Sequence, residues 1–478
     1  MGTINPQSVR EEAKRIKTEF DRLAAGSKIN SECKILFNGM FMLINLLISI
    51  FLEKVTKKNS KNSSKPPSQT DKDESSLTNI GTNGKGKSES NATANNTRTV
   101  ETVTLIKVTV CDICGQDLKK TACHHIERRT KIDILFEKVI EHVDAEVKVC
   151  TTCDSAVKGV FPSDMSGPLQ YGNGLKAYII NLLVCQMISL NRVQKLVKSV
   201  IGEILAEATF LKFILRFYQA LEQWEATAIE LLLKVPAMNI DETSLRVENK
   251  NQWIHVYSGG DITLKFLHPK RGTEAIEEIN ILPRYNGVSI HDCWASYLTY
   301  NHLDHGLCGS HLVRELTYIV ESNGYNWASN IKDLLLETCK KVSKRKSKKL
   351  SQKEYVNLQK RYRNIITRGE KELPAIPSKP NGKRGRMAKS DAHNLWERLR
   401  DHEPSVLLFS KKAEVPFTNN RAERDLRMSK VKQKVSGCFR KELYAKAYCR
   451  ISSYLQTMAT KGYNPLIAIQ MALAGEFV

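Results

Sequence analysis

A chain of 478 residues has room for about three domains. Its 41% hydrophobic content is enough to bury a core, although only 7% is aromatic. Lys and Arg number 73 against 51 Asp and Glu, a formal net charge of +22. That excess argues against an ordinary neutral metabolic enzyme and favours a polyanionic partner, nucleic acid first and anionic membrane second. Twelve cysteines in this length are too dilute for a disulfide-stapled secreted domain.

Residues 1–55 predict a helical segment, since EEAKRIKTEFDRLAA carries its apolar residues at helical spacing. Within it, residues 35–52 hold no charge over 18 positions, which just reaches the length of a transmembrane helix. Ile35, Met42 and Ser49 fall seven apart, as do Asn38, Asn45 and Leu52, so a helix buried in an oligomer fits equally. The run begins too late, after charged residues, and lacks the small-residue cleavage site of a signal peptide. A reducing cytoplasm is the expected compartment.

Residues 56–99 differ in kind. Ser, Thr and Asn supply 22 of these 44 residues and no aromatic is present, so a disordered linker is expected. VETVTLIKVTV (100–110) alternates like a strand. From Gly174 to Val235 the pattern is helical, and Pro236 ends it. Strand-like runs follow at 237–241, 252–260 and 262–269, then a helical TEAIEEINILPRY, then a further strand-like run at 287–292. Residues 340–389 hold 18 Lys and Arg against 3 Asp and Glu, which is +15 of the whole excess. A solvated insertion is the ordinary reading of such a run, and being solvated leaves it free to contact phosphates. AHNLWERLRDHE and the segment from Asn420 onward read as helices.

Four cysteines stand apart from the rest. Cys111-Asp-Ile-Cys114 and Cys150-Thr-Thr-Cys153 are two Cys-x-x-Cys pairs separated by 35 residues. Paired thiolates with a two-residue spacer suit tetrahedral zinc, and Gly115 suits the tight turn of a knuckle. Cys123, His124 and His125 are competing ligands without a matching spacing. Four thiolates leave no open position for substrate, so this zinc would be structural.

Chemistry on a phosphodiester requires acidic residues converging from separate elements onto Mg2+. Asp241 and Asp292 sit at the ends of strand-like runs, and Glu423 lies in PFTNNRAERDLRM. The order strand–strand–strand–helix–strand, with acids on the first and fourth strands, is the layout of a ribonuclease H-like core with those two strands adjacent. Each acid also has an ordinary reading. A strand-end Asp is a turn former, and Asn420-x-x-Glu423 fits a capping box. Glu423 also stands four residues before Arg427, the spacing of a helix ion pair. Glu242 is expected to point away from Asp241, and Asp425 to lie on a different helix face from Glu423.

Six segments, in order, carry a family likeness. They are Asn62-Ser-Ser-Lys-Pro-Pro-Ser68, the four cysteines, Asp241-Glu-Thr-Ser, His291-Asp-Cys-Trp-Ala-Ser-Tyr297, Cys308-Gly-Ser-His311-Leu-Val-Arg-Glu-Leu316, and Pro416 to Met428 with Lys432 to Arg440. From about Asn62 to its C-terminus the chain resembles transposases of the insertion-sequence 66 (IS-66) family, of the DDE class. The resemblance implies a catalytic triad of Asp241, Asp292 and Glu423 holding two divalent ions, Mg2+ or Mn2+. It implies Zn2+ on Cys111, Cys114, Cys150 and Cys153. Cys308 and His311 are expected to support the site as a packing or hydrogen-bonding pair. Arg421, Arg424, Lys430, Lys432 and Lys434 are expected phosphate contacts, or equally a solvated face. One departure is the uncharged run at 35–52, where the family usually has a charged coiled-coil-like helix.

The expected architecture is multidomain α+β. It comprises an N-terminal helical segment (1–55), a linker (56–99), a zinc-binding DNA-recognition module (100–165) and a helical region (166–236). A ribonuclease H-like catalytic core (237–445) with a basic helical insertion at about 312–415 follows, then a C-terminal helical segment (446–478). The expected activity is nicking of the element's ends and joining of their 3′ ends to target DNA. Double-stranded DNA, further copies of the chain and small accessory proteins of the same element are the expected partners, at the nucleoid. The alternatives are a catalytically inactive DNA-binding descendant and a membrane-associated protein anchored by residues 35–52.

Overall fold

The computed structural model describes residues 6–25, 29–56, 58, 62, 102–132, 134, 137–165, 167–376 and 389–477. Most of the predicted linker at 56–99, the family-like segment after Asn62, and residues 377–388 of the basic stretch lie outside the described residues. The chain divides into two compact units, Met1–Lys85 with Gln223–Thr457, and Gly86–Glu222 with Met458–Val478.

In chain order, α1 (Pro6–Ala25) and α2 (Ser31–Val55) precede a small ribbon of β1 (Val147–Val149) and β2 (Ala156–Lys158). Helices α3 (Asn173–Ile180), α4 (Leu190–Ile201), α5 (Glu207–Ala220) and α6 (Glu222–Leu232) follow. Then come β3 (Ala237–Val247), β4 (Lys250–Gly259), β5 (Ile262–His268), α7 (Thr273–Ile279), β6 (Val288–His291), α8 (Ala295–Leu298) and β7 (Asp304–Leu307). Five helices intervene: α9 (Gly309–Asn323), α10 (Asn326–Ser343), α11 (Gln352–Glu372), α12 (Asp391–Asp401) and α13 (Glu403–Lys411). The last elements are α14 (Asn420–Ser436), α15 (Glu442–Thr460) and α16 (Pro465–Leu473).

The first unit is built on a five-stranded mixed sheet of order β5-β4-β3-β6-β7. β3, β4 and β5 form an antiparallel meander, while β6 pairs parallel with both β3 and β7. The β3–β4 connection is two residues, Glu248 and Asn249, both at positive φ (51° and 60°), as the tightest hairpins demand. The four strand-like runs are all strands, and those bearing Asp241 and Asp292 are neighbours, as their spacing predicted. The fifth strand, β7, was not foreseen: four residues containing a Gly carry too little alternation to register.

Strand alternation divides the sheet chemically. One face carries Asp241, Ser258, Thr263 and Lys265, and it is covered by α14 and α15 through polar contacts. Ser258 Oγ and Thr263 Oγ1 both donate to Asp425 Oδ2, at 2.7 and 2.9 Å. Buried Lys265 donates to Ser452 Oγ at 2.9 Å, and burial lowers its pKa to about 8. The other face carries Ile240, Glu242 and Tyr257, all buried. Helices α9 to α13 share one apolar core with Val288, Ile290 and Leu307 of the sheet, centred on Trp327, Tyr362 and Trp396. Where described, the basic stretch comprises the end of α10, a turn holding Lys344, Arg345, Lys346, Lys348 and Lys349, and α11. Several of its cations are paired, Arg345 and Lys341 with Glu354, Arg361 with Glu337 and Arg363 with Glu403.

Helix α2 is, among the described residues, the one long and apolar enough to cross a membrane by length and composition. It packs on α1 through Phe20, stacked on Phe37 at 4.7 Å. Its C-terminal turn is a polar docking point. The Glu53 carboxylate accepts the Asp391 and Ala392 backbone N–H groups at 2.6 and 3.0 Å, together with Asn323 Nδ2 at 3.0 Å. It thereby satisfies orphan donors at the start of α12. Burial nevertheless raises its pKa, against the lowering effect of those bonds. Most of the apolar side chains along the rest of α2, including Ile35, Leu36 and Leu47, are exposed.

In the second unit, α3 packs on α5 and α16. The predicted helical stretch is interrupted by a π-helical turn at Asn181–Cys185 and by Gly202, left-handed at φ 78°, which ends α4. Of the strand expected at 100–110, the described residues 102–110 form none. Only Val110 makes a bridge, to Asp117, and Val103, Leu105, Ile106 and Val108 are exposed. Alternation supplies one apolar face, but a ladder also needs a partner strand.

Replacing Glu53 by Ala leaves the α12 donors without their anion. The expected cost is about 1–3 kcal/mol, read as a lower urea midpoint with unchanged slope. An unchanged midpoint would mean that α2 docks by apolar contact alone.

Candidate functional site

The C-terminal end of β6 and the adjoining part of β3 bring several carboxylates together. Asp241 lies in β3, and its Oδ1 accepts the Glu242 N–H at 2.8 Å. Asp292 immediately follows β6, its Oδ1 accepting the Trp294 N–H at 3.1 Å. Burial pushes the Asp241 carboxyl well above the usual carboxylate range, and the negative charges of Glu242, Asp292 and Glu423 push it further. A carboxyl in that position is poorly tolerated as an anion until a cation joins it.

Glu423 lies in the first turn of α14. The ordinary capping reading is not realised: the helix is capped by Asn419, which makes no side-chain capping bond. The Asn419 side chain instead ties α14 to β3, donating from Nδ2 to the Ile240 carbonyl at 2.7 Å and accepting Asn239 Nδ2 at 2.9 Å. Glu423 Oε1 is buried with no hydrogen-bond partner; the nearest cation is His311, with Nδ1 at 3.6 Å. Asp425, two residues on, is consumed in the bonds to Ser258 and Thr263, so the two acids do face differently.

Cys308 and His311 stand at the start of α9. Cys308 Sγ accepts the Asn419 N–H at 3.1 Å, and the Gly309 N–H donates to the Phe417 carbonyl at 2.7 Å. Glycine is required there, because a Cβ would lie 2.3 Å from the Phe417 ring. Burial alone would lower the His311 pKa, but Cys308, Glu423 and Asp292 outweigh it and raise it to about 9. Burial alone would raise the Cys308 thiol, and contacts with His311, Ser310 and the Asn419 N–H bring it down. Ligand atoms of Cys308, His311 and Glu423 lie within 4.8 Å of one another, a group able to hold a metal ion. Sequence spacing gave the first two as a pair; only the fold adds Glu423.

The basic residues of α14 divide by use. Arg421 donates to the Gly260 and Ile262 carbonyls at 2.7 and 3.0 Å, and Lys430 donates to Ser244 at 2.7 Å. Both are occupied by the chain itself, and Lys432 is half-buried. Arg424 and Lys434 are exposed.

Sequence reasoning passed over the surroundings of Glu242. That carboxylate is almost fully buried. It accepts Arg271 Nε at 2.7 Å on Oε1 and the Tyr297 hydroxyl on Oε2. Burial raises its pKa, opposed by Tyr297 and Arg271. The DET tripeptide gave a signal only for Asp241, and no local pattern joins Glu242 to Arg271.

In the second unit, each cysteine pair forms the same turn. The Cys111 N–H bonds the Gln116 carbonyl and the Gly115 N–H the Cys111 carbonyl, both at 2.9 Å. Cys150 repeats this with Ser155 and Asp154 at the same distances. The residue after each second cysteine is left-handed, Gly115 at φ 74° and Asp154 at φ 52°. Backbone N–H groups of Cys114 and Ile113 lower the Cys111 thiol, and those of Thr152 and Cys153 lower Cys150 to about 7. The two knuckles are each formed, but among the described residues their cysteines are not gathered into one close-packed ligand group. Cys123, with its Sγ on the His125 carbonyl at 3.3 Å, is exposed beside His124 and His125.

Asp292 stands just past the end of β6, while β3 runs on to Val247 and so holds Asp241 in its interior and not at the strand end expected. Acids gathered from two parallel neighbours in this way suit chemistry on a phosphodiester. Residues 168–447 match the transposase IS66 family, and the chain belongs to that family. No curated protein matches it.

Asn419→Ala removes two buried bonds joining β3 to α14. The expected destabilisation is about 1–3 kcal/mol, measured by urea denaturation; retention of the wild-type midpoint would mean that the Asp425, Arg421 and Lys430 contacts suffice to fix α14.

Proposed function

We propose that the chain is a DDE-class DNA transposase whose five-stranded sheet is a ribonuclease H-like core, with α9 to α13 as its insertion. The observation that carries this reading is the meeting of Asp241, Asp292 and Glu423, from two neighbouring parallel strands and a helix. A central first strand with an antiparallel pair on one side and a parallel pair on the other supports the core assignment.

The residues fit hard divalent cations such as Mg2+ or Mn2+, which take carboxylate oxygens together with substrate phosphates. Asp241 carries uncompensated like charge, and Glu423 Oε1 is a buried acceptor lacking a donor. Two such ions, when bound, neutralise phosphodiester charge and assist the attacking and leaving oxygens of an in-line displacement. The chain supplies the rest. Asn419 and Asn239 hold the separation of Glu423 from Asp241, and Cys308 and His311 support Glu423 from α9. Arg424 and Lys434 contact phosphates, whereas Arg421 and Lys430 position α14. The reaction nicks the element's ends and then joins each freed 3′-OH to target DNA, by copies of the chain assembled on double-stranded DNA.

Cys111, Cys114, Cys150 and Cys153 hold one structural Zn2+ in a DNA-recognition module at 100–165. The matching turns and the lowered Cys111 and Cys150 thiols support a thiolate site.

Mg2+-dependent cleavage of DNA carrying the element's end is expected to vanish in Asp241→Asn, Asp292→Asn and Glu423→Gln. Undiminished cleavage in any one of them removes that residue from the triad, and DNA binding without cleavage by the wild type favours the inactive descendant. For the zinc, elemental analysis of the full chain is expected to give one ion per chain, and none in the Cys111→Ser/Cys150→Ser variant. Equal zinc in both proteins would exclude the knuckles.

A further inference from the structure

Arg271 lies outside every motif singled out in the sequence, yet it is the most elaborately held cation near the candidate site. Its guanidinium carbon is 4.9 Å from the Trp253 ring centroid and 4.5 Å from that of Trp294. Its Nε and Nη2 meet Glu242 Oε1 at 2.7 and 2.6 Å. The loop beneath it is pinned as well. The Lys270 N–H donates to His268 Nδ1 at 3.0 Å, and His255 Nε2 lies 3.3 Å from the Lys270 carbonyl. Two rings and one buried carboxylate thus hold the side chain, and two histidines hold the backbone of the residue before it.

Neutralising Glu242 would not require this arrangement. A buried carboxylate is served by any cation on its open edge, and here the guanidinium side chain remains 42% exposed while that of Glu242 is 1% exposed. Stacking removes the rotamer freedom that an arginine ordinarily loses on binding, and it leaves an outer edge of N–H donors facing solvent. The clamp adjoins Asp292, because Trp294 donates its backbone N–H to that carboxylate, whereas Glu242 follows Asp241 in β3 and faces the other side of the sheet.

We propose that Arg271, clamped by Trp253, Trp294 and Glu242, is a preformed contact for a DNA backbone phosphate near Asp292. This inference rests on the transposase reading of that site. A planar fork fixed in advance matches a phosphate's two oxygens with little further ordering. The contact orients the strand, while the acids act on the bond.

The test uses the full-length chain and a fluorescent duplex of the element's end, in Ca2+ to separate binding from cleavage. Arg271→Gln/Glu242→Gln keeps a neutral hydrogen-bonding pair, and Arg271→Lys keeps the charge without the planar fork; circular dichroism selects folded variants. The double variant is expected to bind roughly ten- to a hundredfold more weakly. Its slope of log affinity against log salt should fall by about one. Arg271→Lys should retain most of the slope while losing affinity. A duplex with one neutral methylphosphonate walked along each strand should erase the wild-type advantage at one position. If the folded double variant binds with wild-type affinity and slope, Arg271 is only the counter-ion of Glu242 and the proposal fails, while wild-type cleavage leaves the transposase reading standing. If affinity falls but no methylphosphonate position erases the difference, the contact is to a base and the phosphate assignment is overturned. A wild type that neither binds nor cleaves the duplex overturns both.

Discussion

Like charges at close quarters are the constraint around which the first unit is organised. Burial makes the Asp241 and Glu242 charges harder to bear, and the neighbouring carboxylates add to the cost, Glu242, Asp292 and Glu423 for Asp241 and Asp292 for Glu242. The fold answers them differently. Glu242 is given a permanent cation in Arg271 and a donor in Tyr297, so its charge is settled within the chain. Among the described residues Asp241 accepts one backbone N–H, while Glu423 Oε1 accepts no hydrogen bond and has His311 beside it at 3.6 Å.

Helix α14 is where the two demands meet. Its Asp425 is sealed against the sheet by two hydroxyls, its Arg421 holds the β4–β5 turn, and its cap residue Asn419 bonds both β3 and Cys308. These bonds surround Glu423 without satisfying it. A helix start held from three directions keeps an unsatisfied carboxylate in one place, which a flexible loop could not do. The close approach at Gly309 belongs to the same design, since any side chain there would push Phe417 and the lead into α14 away.

Much of this was legible along the chain because it depends on short-range periodicity. Alternation gave β3, β4, β5 and β6, and Gly115 marked the turn after the first cysteine pair, while the left-handed Asp154 after the second carried no such mark. The failures have a common cause. VETVTLIKVTV has the pattern of a strand, yet among its described residues only Val110 finds a bridge partner, and β7 has a neighbour but almost no pattern. The Asn420-x-x-Glu423 spacing has the form of a capping box, but Asn419 begins the helix one residue earlier and uses its side chain across the sheet. In each case the deciding partner was distant in sequence.

The sequence by itself determined the local units: most of the strands and helices, the place of Asp292 at the end of β6, and where two thiols can face the same way. Those follow from backbone sterics and from patterns a few residues long. Only the tertiary structure decided which charges were already answered. It sent Glu242 to Arg271 across 29 residues and Arg421 and Lys430 to backbone and hydroxyl oxygens of the β-meander. It also brought His311 beside Glu423 across the whole helical insertion. Pairing energy depends on distance in space and on burial, and neither is written in the order of the residues.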